Sequence, residues 1–161
     1  WELVGQLAGN ANVVVGADIA AYTTNADLST TIPLDDTVPT NTEGTQIISK
    51  GYAAKTTTNK LRLKFSAQIA AASTPTLVVA AIYAGSTCIA AGYIGLATNN
   101  YAGQIVVETE VVPGSTSSVT YSVRVGPAAA TANAIRLNGS GAARTFGGVN
   151  SANLTFEEIA A

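Results

Sequence analysis

The chain has 161 residues, 47% hydrophobic and 11% charged, with eight Lys and Arg, ten Asp and Glu, no His and a formal charge of −2. One domain of this length buries a core without disulfides or metals. A charged share well below the usual ~25% leaves a surface that repels neighbours weakly and is expected to pack against other subunits. Dispersed cations exclude an electrostatic footprint for nucleic acid, and no run approaches the ~18 apolar residues of a membrane helix. The lack of His removes the commonest general base and most catalytic zinc sets.

In chain order, residues 1–31 are expected to form a lead-in of one or two edge strands and a linker, with Val13 to Val15 the one good apolar run and Trp1 and Leu3 packing onto the domain. Trp1 is expected to be a processed or truncated start, because no initiator Met or signal segment precedes it. A single domain is expected over residues 32–161. Pro33 and Pro39 bracket a short extended piece, since Pro is tolerated at strand ends and edges.

"LRLKFSAQI" alternates, with Leu61, Leu63, Phe65, Ala67 and Ile69 on one side and Arg62, Lys64, Ser66 and Gln68 on the other. This is a strand with one face in the core. "TLVVAAIYA", "CIAAGYIGLA" and "QIVVETEVV" follow, short and rich in β-branched residues, separated by Gly, Asn, Pro and Ser turns. "VTYSVRV" repeats the alternation through Val119, Tyr121, Val123 and Val125. "GPAAATANA" opens on Gly and Pro and carries no apolar stripe at helical spacing. The predicted class is all-β, an antiparallel sandwich.

Chemistry-bearing residues are few. Cys88 is the sole cysteine, so no intrachain disulfide can form, and it reads as a buried small hydrophobe. Glu108 and Glu110 share a strand face. That spacing could flank a sugar or Ca²⁺, but with Ile105, Val107 and Val111 on the core side it reads as a solvated face. Asp35 and Asp36 lack the spaced oxygen ligands of a calcium loop. "NGSGAARTFGG" lacks the ending of a phosphate loop and reads as a hairpin turn. Asn138 and Asn153 head glycosylation sequons. Tyr93, Asn99, Asn100 and Tyr101 bring aromatic and amide groups together, as sugar sites do by stacking and hydrogen bonding, and are the candidate receptor-binding residues. No catalytic residue, metal or cofactor is expected.

Three blocks in order, "IPLDDTVPTNTEGTQIIS", "AAKTTTNKLRLKFSAQI" and "IRLNGSGAARTFGGVNSANLTFEEI", together resemble distal domains of tailed-bacteriophage fibre, spike and other virion proteins. The matching residues are Pro33 through Pro39, Glu43 and Gly44, Asn59 through Leu61, Asn138 through Gly148, and Ser151 through Ile159; "WELVGQ" resembles the lead-in to such domains. The resemblance implies a jelly roll of the tumour-necrosis-factor-like kind, a homotrimer assembled in the host bacterial cytoplasm and exposed on the virion. Its implied partners are its own copies, other virion proteins and a host-surface glycan or protein, with no nucleic acid or membrane. It implies non-catalytic attachment to a receptor by a fibre or spike tip; the alternative is a head decoration, capsid fibre or connector protein that stabilises the particle.

Overall fold

The computed structural model describes residues 12–72, 76–98, 100–129, 135–140 and 143–161. Its strands are β1 (Val14–Tyr22), β2 (Ala26–Leu28), β3 (Thr45–Tyr52), β4 (Lys60–Ala71), β5 (Thr76–Ala84), β6 (Thr87–Leu96), β7 (Ala102–Val111), β8 (Val119–Pro127), β9 (Ile135–Leu137), β10 (Gly139–Ser140), β11 (Ala143–Arg144) and β12 (Ala152–Ile159). The pairs β1–β12, β3–β8, β4–β7 and β5–β6 are antiparallel and nested one inside the next. Wrapped on itself, such a ribbon is a jelly-roll sandwich. One sheet runs β3-β8-β5-β6. In the other, the long β4 has β7 along one edge, while β12 and then β9 share the opposite edge. Strands β1 and β2 extend those two in turn.

Alternation decides what lies between the sheets. Leu61, Leu63, Phe65, Ala67 and Ile69 of β4 are buried, as are Ile105 and Val107 of β7, Tyr121, Val123 and Val125 of β8, and Leu154 and Phe156 of β12. The Phe156 ring stacks on Tyr52 at 5.4 Å and meets Tyr121 edge-on at 5.8 Å, geometries that suit the ring quadrupole.

Strand β5 is apolar throughout because it is buried on both faces. Val78, Ala80 and Ile82 face the main core, whereas Val79, Ala81 and Tyr83 form a second cluster with Ile32 outside the sheet. The Pro33–Pro39 block is therefore a strap over that face. Ile32 N–H donates to Pro127 O (3.0 Å) and Gly44 N–H to Thr31 O (2.8 Å). Tyr83 Oη donates to Thr40 O (2.9 Å) and Arg124 to the carbonyls of Glu43 and Gly44 (2.5 and 2.8 Å). Asp35 is occupied locally: its carboxylate accepts from the Thr37 hydroxyl and backbone, which hold it below the usual carboxylate range.

Where the chain enters the strap it lies directly on β8. A Cβ at Gly126 would overlap the Thr30 carbonyl oxygen. Gly126→Ala is therefore expected to lower stability by about 1–3 kcal/mol, read as a lower urea midpoint; an unchanged midpoint would contradict this packing.

Strands β1 and β2 are edge strands, as expected, of the sheet that contains β4: β1 pairs with β12 from Val14 to Tyr22 and β2 with β9. Trp1 and Leu3 lie outside the described residues.

Candidate functional site

The outward face of the sheet built from β1, β12, β4 and β7 can be read row by row from the register. Ala17, Glu157, Arg62 and Glu110 form one row, Ile19, Thr155, Lys64 and Glu108 the next, then Ala21, Asn153, Ser66 and Val106, and finally Gln68 opposite Gln104. One end of the face is charged and the other is uncharged. At the charged end Arg62 lies 3.8 Å from Glu108, 3.5 Å from Glu110 and 3.5 Å from Glu157, and Lys60 lies 3.0 Å from Glu110. The hydrogen bond from Lys60 leads in holding the Glu110 carboxyl below its ordinary value. Glu108 and Glu110 thus form a solvated, ion-paired face, as the alternation implied.

At the uncharged end Ser66, Gln68, Gln104, Asn150, Ser151 and Asn153 line a groove of about 410 Å³. Three elements build it: β4 supplies Ser66 and Gln68, β7 supplies Gln104, and the approach to β12 supplies the rest. Asn150 Nδ2 donates to Gln68 Oε1 at 2.6 Å, and Ser151 Oγ lies 3.2 Å from Asn153 Oδ1. These bonds orient the amides. Among the described contacts, Gln68 Nε2, Asn150 Oδ1 and the whole Gln104 amide keep free hydrogen-bonding capacity.

The turn before Asn150 shows what the Arg-Thr-Phe-Gly-Gly segment does. Gly147 and Gly148 adopt φ of 61° and 95°, and Arg144 folds so closely over Gly148 that a Cβ there would lie 2.5 Å from Nη1. Phe146 also has positive φ, 52°, and is 73% exposed. A bulky side chain in the left-handed region is strained by roughly 1–2 kcal/mol, and here nothing buried repays it. Phe146→Gly is accordingly expected to raise stability by about 1 kcal/mol, measured by urea unfolding; a clear loss would mean that the ring holds the turn together.

The expected receptor-binding residues fall in two places. Asn100 N–H donates to Ala71 O (2.9 Å), its carbonyl accepts from Ser140 Oγ (3.1 Å), and Tyr101 O accepts from Ala71 N–H (3.1 Å). These bonds fix the β6–β7 turn beside Ala102, which lines the groove, with the Tyr101 side chain exposed. Tyr93 is on the other sheet, where the outward face points away from the groove. It lines a smaller cleft of about 150 Å³ with strap residues Pro33, Leu34, Asp35, Thr37 and Pro39. Asn99 lies outside the described residues.

Of the two sequons, Asn138 is buried, its Nδ2 donating to Tyr22 O and Thr24 O (2.7 and 3.2 Å), which leaves no room for a glycan. Asn153 is part of the groove. The hairpin expected for "NGSGAARTFGG" is formed by β10 and β11. Cys88 is only part-buried, against the second cluster, and burial pushes its thiol pKa up.

Fold and site thus define a jelly-roll domain with an uncharged, amide-lined surface groove. No family model and no curated protein matches the chain. Among solved structures it is similar to a chain described as "EclA C-terminal domain; sugar-binding protein", with a TM-score of 0.41, 11% identity and 86% of each chain covered. A likeness at that level assigns neither ligand nor family.

Proposed function

We propose that the chain is a bacteriophage virion protein, a trimeric fibre or spike tip domain that attaches without catalysis to a glycan or protein on the host surface. The observation that carries the recognition role is the groove: oriented amides and hydroxyls with free donors and acceptors, with the exposed Tyr101 next in sequence to its lining residue Ala102 and the Phe146 turn leading to Asn150. Such groups bind ligands by hydrogen bonding and stacking. Three copies would convert weak single-site contacts into avidity. The virion assignment is supported by the resemblance of the three sequence blocks, and the trimer by that resemblance and the sparse surface charge.

One observation favours the alternative of a head decoration or connector protein. Much of the shared sequence serves the scaffold: the strap covers β5, and Asn59 bonds Glu158. Those blocks therefore report a fold and not a receptor. Light scattering should give three times the 16.2 kDa chain mass, and the intact assembly should adsorb to host cells. A trimer that labels the capsid shell and adsorbs to no cell would favour the alternative; a monomer would remove the avidity argument.

A further inference from the structure

We infer that the ligand of the groove is an uncharged glycan, discriminated from anionic sugars by the absence of cations from the groove lining. This inference rests on the recognition role proposed above and narrows it to one chemical class. The lining side chains with hydrogen-bonding groups are four amides and two hydroxyls: Gln68, Gln104, Asn150, Asn153, Ser66 and Ser151.

Each sugar hydroxyl both donates and accepts, and each amide offers an acceptor and two donors in one plane, so the inventories match. A carboxylate or phosphate only accepts. It could accept from Gln68 Nε2 and Gln104 Nε2 but would face the free Asn150 Oδ1 as acceptor against acceptor, and it would lose water without gaining a counter-charge, which is costly.

The surrounding charges do not change this. Lys64, the nearest cation along β4, lies one strand repeat from Ser66, roughly 7 Å, and stands directly opposite Glu108 in the register. Farther along, Arg62 is shared among Glu108, Glu110 and Glu157. In the adjoining turn Arg144 is folded over Gly148 and does not line the groove. The field reaching the groove is that of three cations, Lys60, Arg62 and Lys64, set among three carboxylates, Glu108, Glu110 and Glu157, and it is screened within about 10 Å at ordinary ionic strength.

The test presents the intact assembly with uncharged polysaccharides (glucan, mannan, galactan) and anionic ones (a polyuronate and a glycerol-phosphate polymer) at about 50 mM and about 500 mM NaCl. The expected result is binding to at least one uncharged polymer, with affinity changing less than about twofold across that range. Gln104→Ala and Asn150→Ala should each weaken it about tenfold, the loss of one or two hydrogen bonds, with both variants checked for unchanged melting. Binding confined to the anionic polymers, or falling tenfold or more with salt, would overturn the uncharged-ligand inference while leaving recognition intact. Binding that neither variant alters would place the site elsewhere and overturn the inference as well. No binding to any polymer would overturn both this inference and glycan recognition.

Discussion

Glu158→Ala is expected to lower the unfolding free energy by about 2–4 kcal/mol, the cost of leaving hydrogen-bond donors without their shared acceptor. The residue shares the inward parity of Leu154 and Phe156 and is fully buried. Its carboxylate accepts from Asn59 Nδ2 (2.7 Å), Lys55 N–H (2.8 Å) and Tyr52 Oη (2.9 Å). Alanine would leave the buried Asn59 Nδ2 without its acceptor, while the Lys55 N–H and the Tyr52 hydroxyl, which are part-buried, would lose the carboxylate they share. Glu158→Gln should recover part of the loss, because one amide oxygen can still accept, while its NH₂ group meets donors. Urea unfolding of both variants checks the order.

The same carboxylate sets an acid limit. Burial pushes its pKa up, but the hydrogen bonds from Asn59, the Lys55 backbone and Tyr52 outweigh burial and hold it below its ordinary value. A carboxyl whose folded pKa is depressed contributes stability that is fully present above the unfolded pKa of ~4.3 and is lost as pH falls through the folded value. Wild type should therefore lose stability below about pH 4 more steeply than Glu158→Gln. Parallel acid titrations of the two would contradict the assignment.

Phe156→Ala is expected to cost a similar amount, about 3–5 kcal/mol, through lost burial and the cavity left behind. The ring is 1% exposed and bridges the sheets, stacked on Tyr52 of β3 and edge-on to Tyr121 of β8. Its neighbour Glu157 points outward into the Arg62 cluster, so Glu157→Ala should change stability by less than about 1 kcal/mol. Equal losses at the two positions would refute the assigned parity of β12. The comparison is made at one protein concentration, since any self-association stabilises folded copies by mass action.

Much of the sandwich was legible because its strands alternate without interruption. Leu61 through Ile69 and Val119 through Val125 name their own inward faces, and Leu154 and Phe156 point inward as their spacing implies. Strand β5 was legible as a strand but not as one buried twice, since the strap that covers it arrives from residues more than forty positions earlier in the sequence. Strand β1 was legible as an edge strand, which it is; that its neighbour is β12 is set by backbone bonds, which composition does not report.

The site was only partly legible for a related reason. Tyr93 and Tyr101 were recognisable as exposed aromatics in turn-rich sequence, but periodicity does not say which sheet a strand joins, and the structure separates them. Ser66 and Gln68 were visible as outward residues of β4. That Gln104 stands opposite Gln68, and that Asn150 bonds Gln68 from the far end of the chain, depends on register and turn geometry. The one available signal was the change along β4 from Arg and Lys to Ser and Gln, which marks where the outward face stops being charged.

The most direct test of groove recognition is a nitrogen-15 NMR titration of side-chain amide signals with the tightest-binding oligosaccharide from the uncharged polymers. The account predicts that the NH₂ signals of Gln68, Gln104, Asn150 and Asn153 shift on binding, while those of Asn59 and Asn138, held inside the scaffold, stay in place. Shifts confined to residues around Tyr93 and the strap, with the four groove amides unmoved, would contradict it.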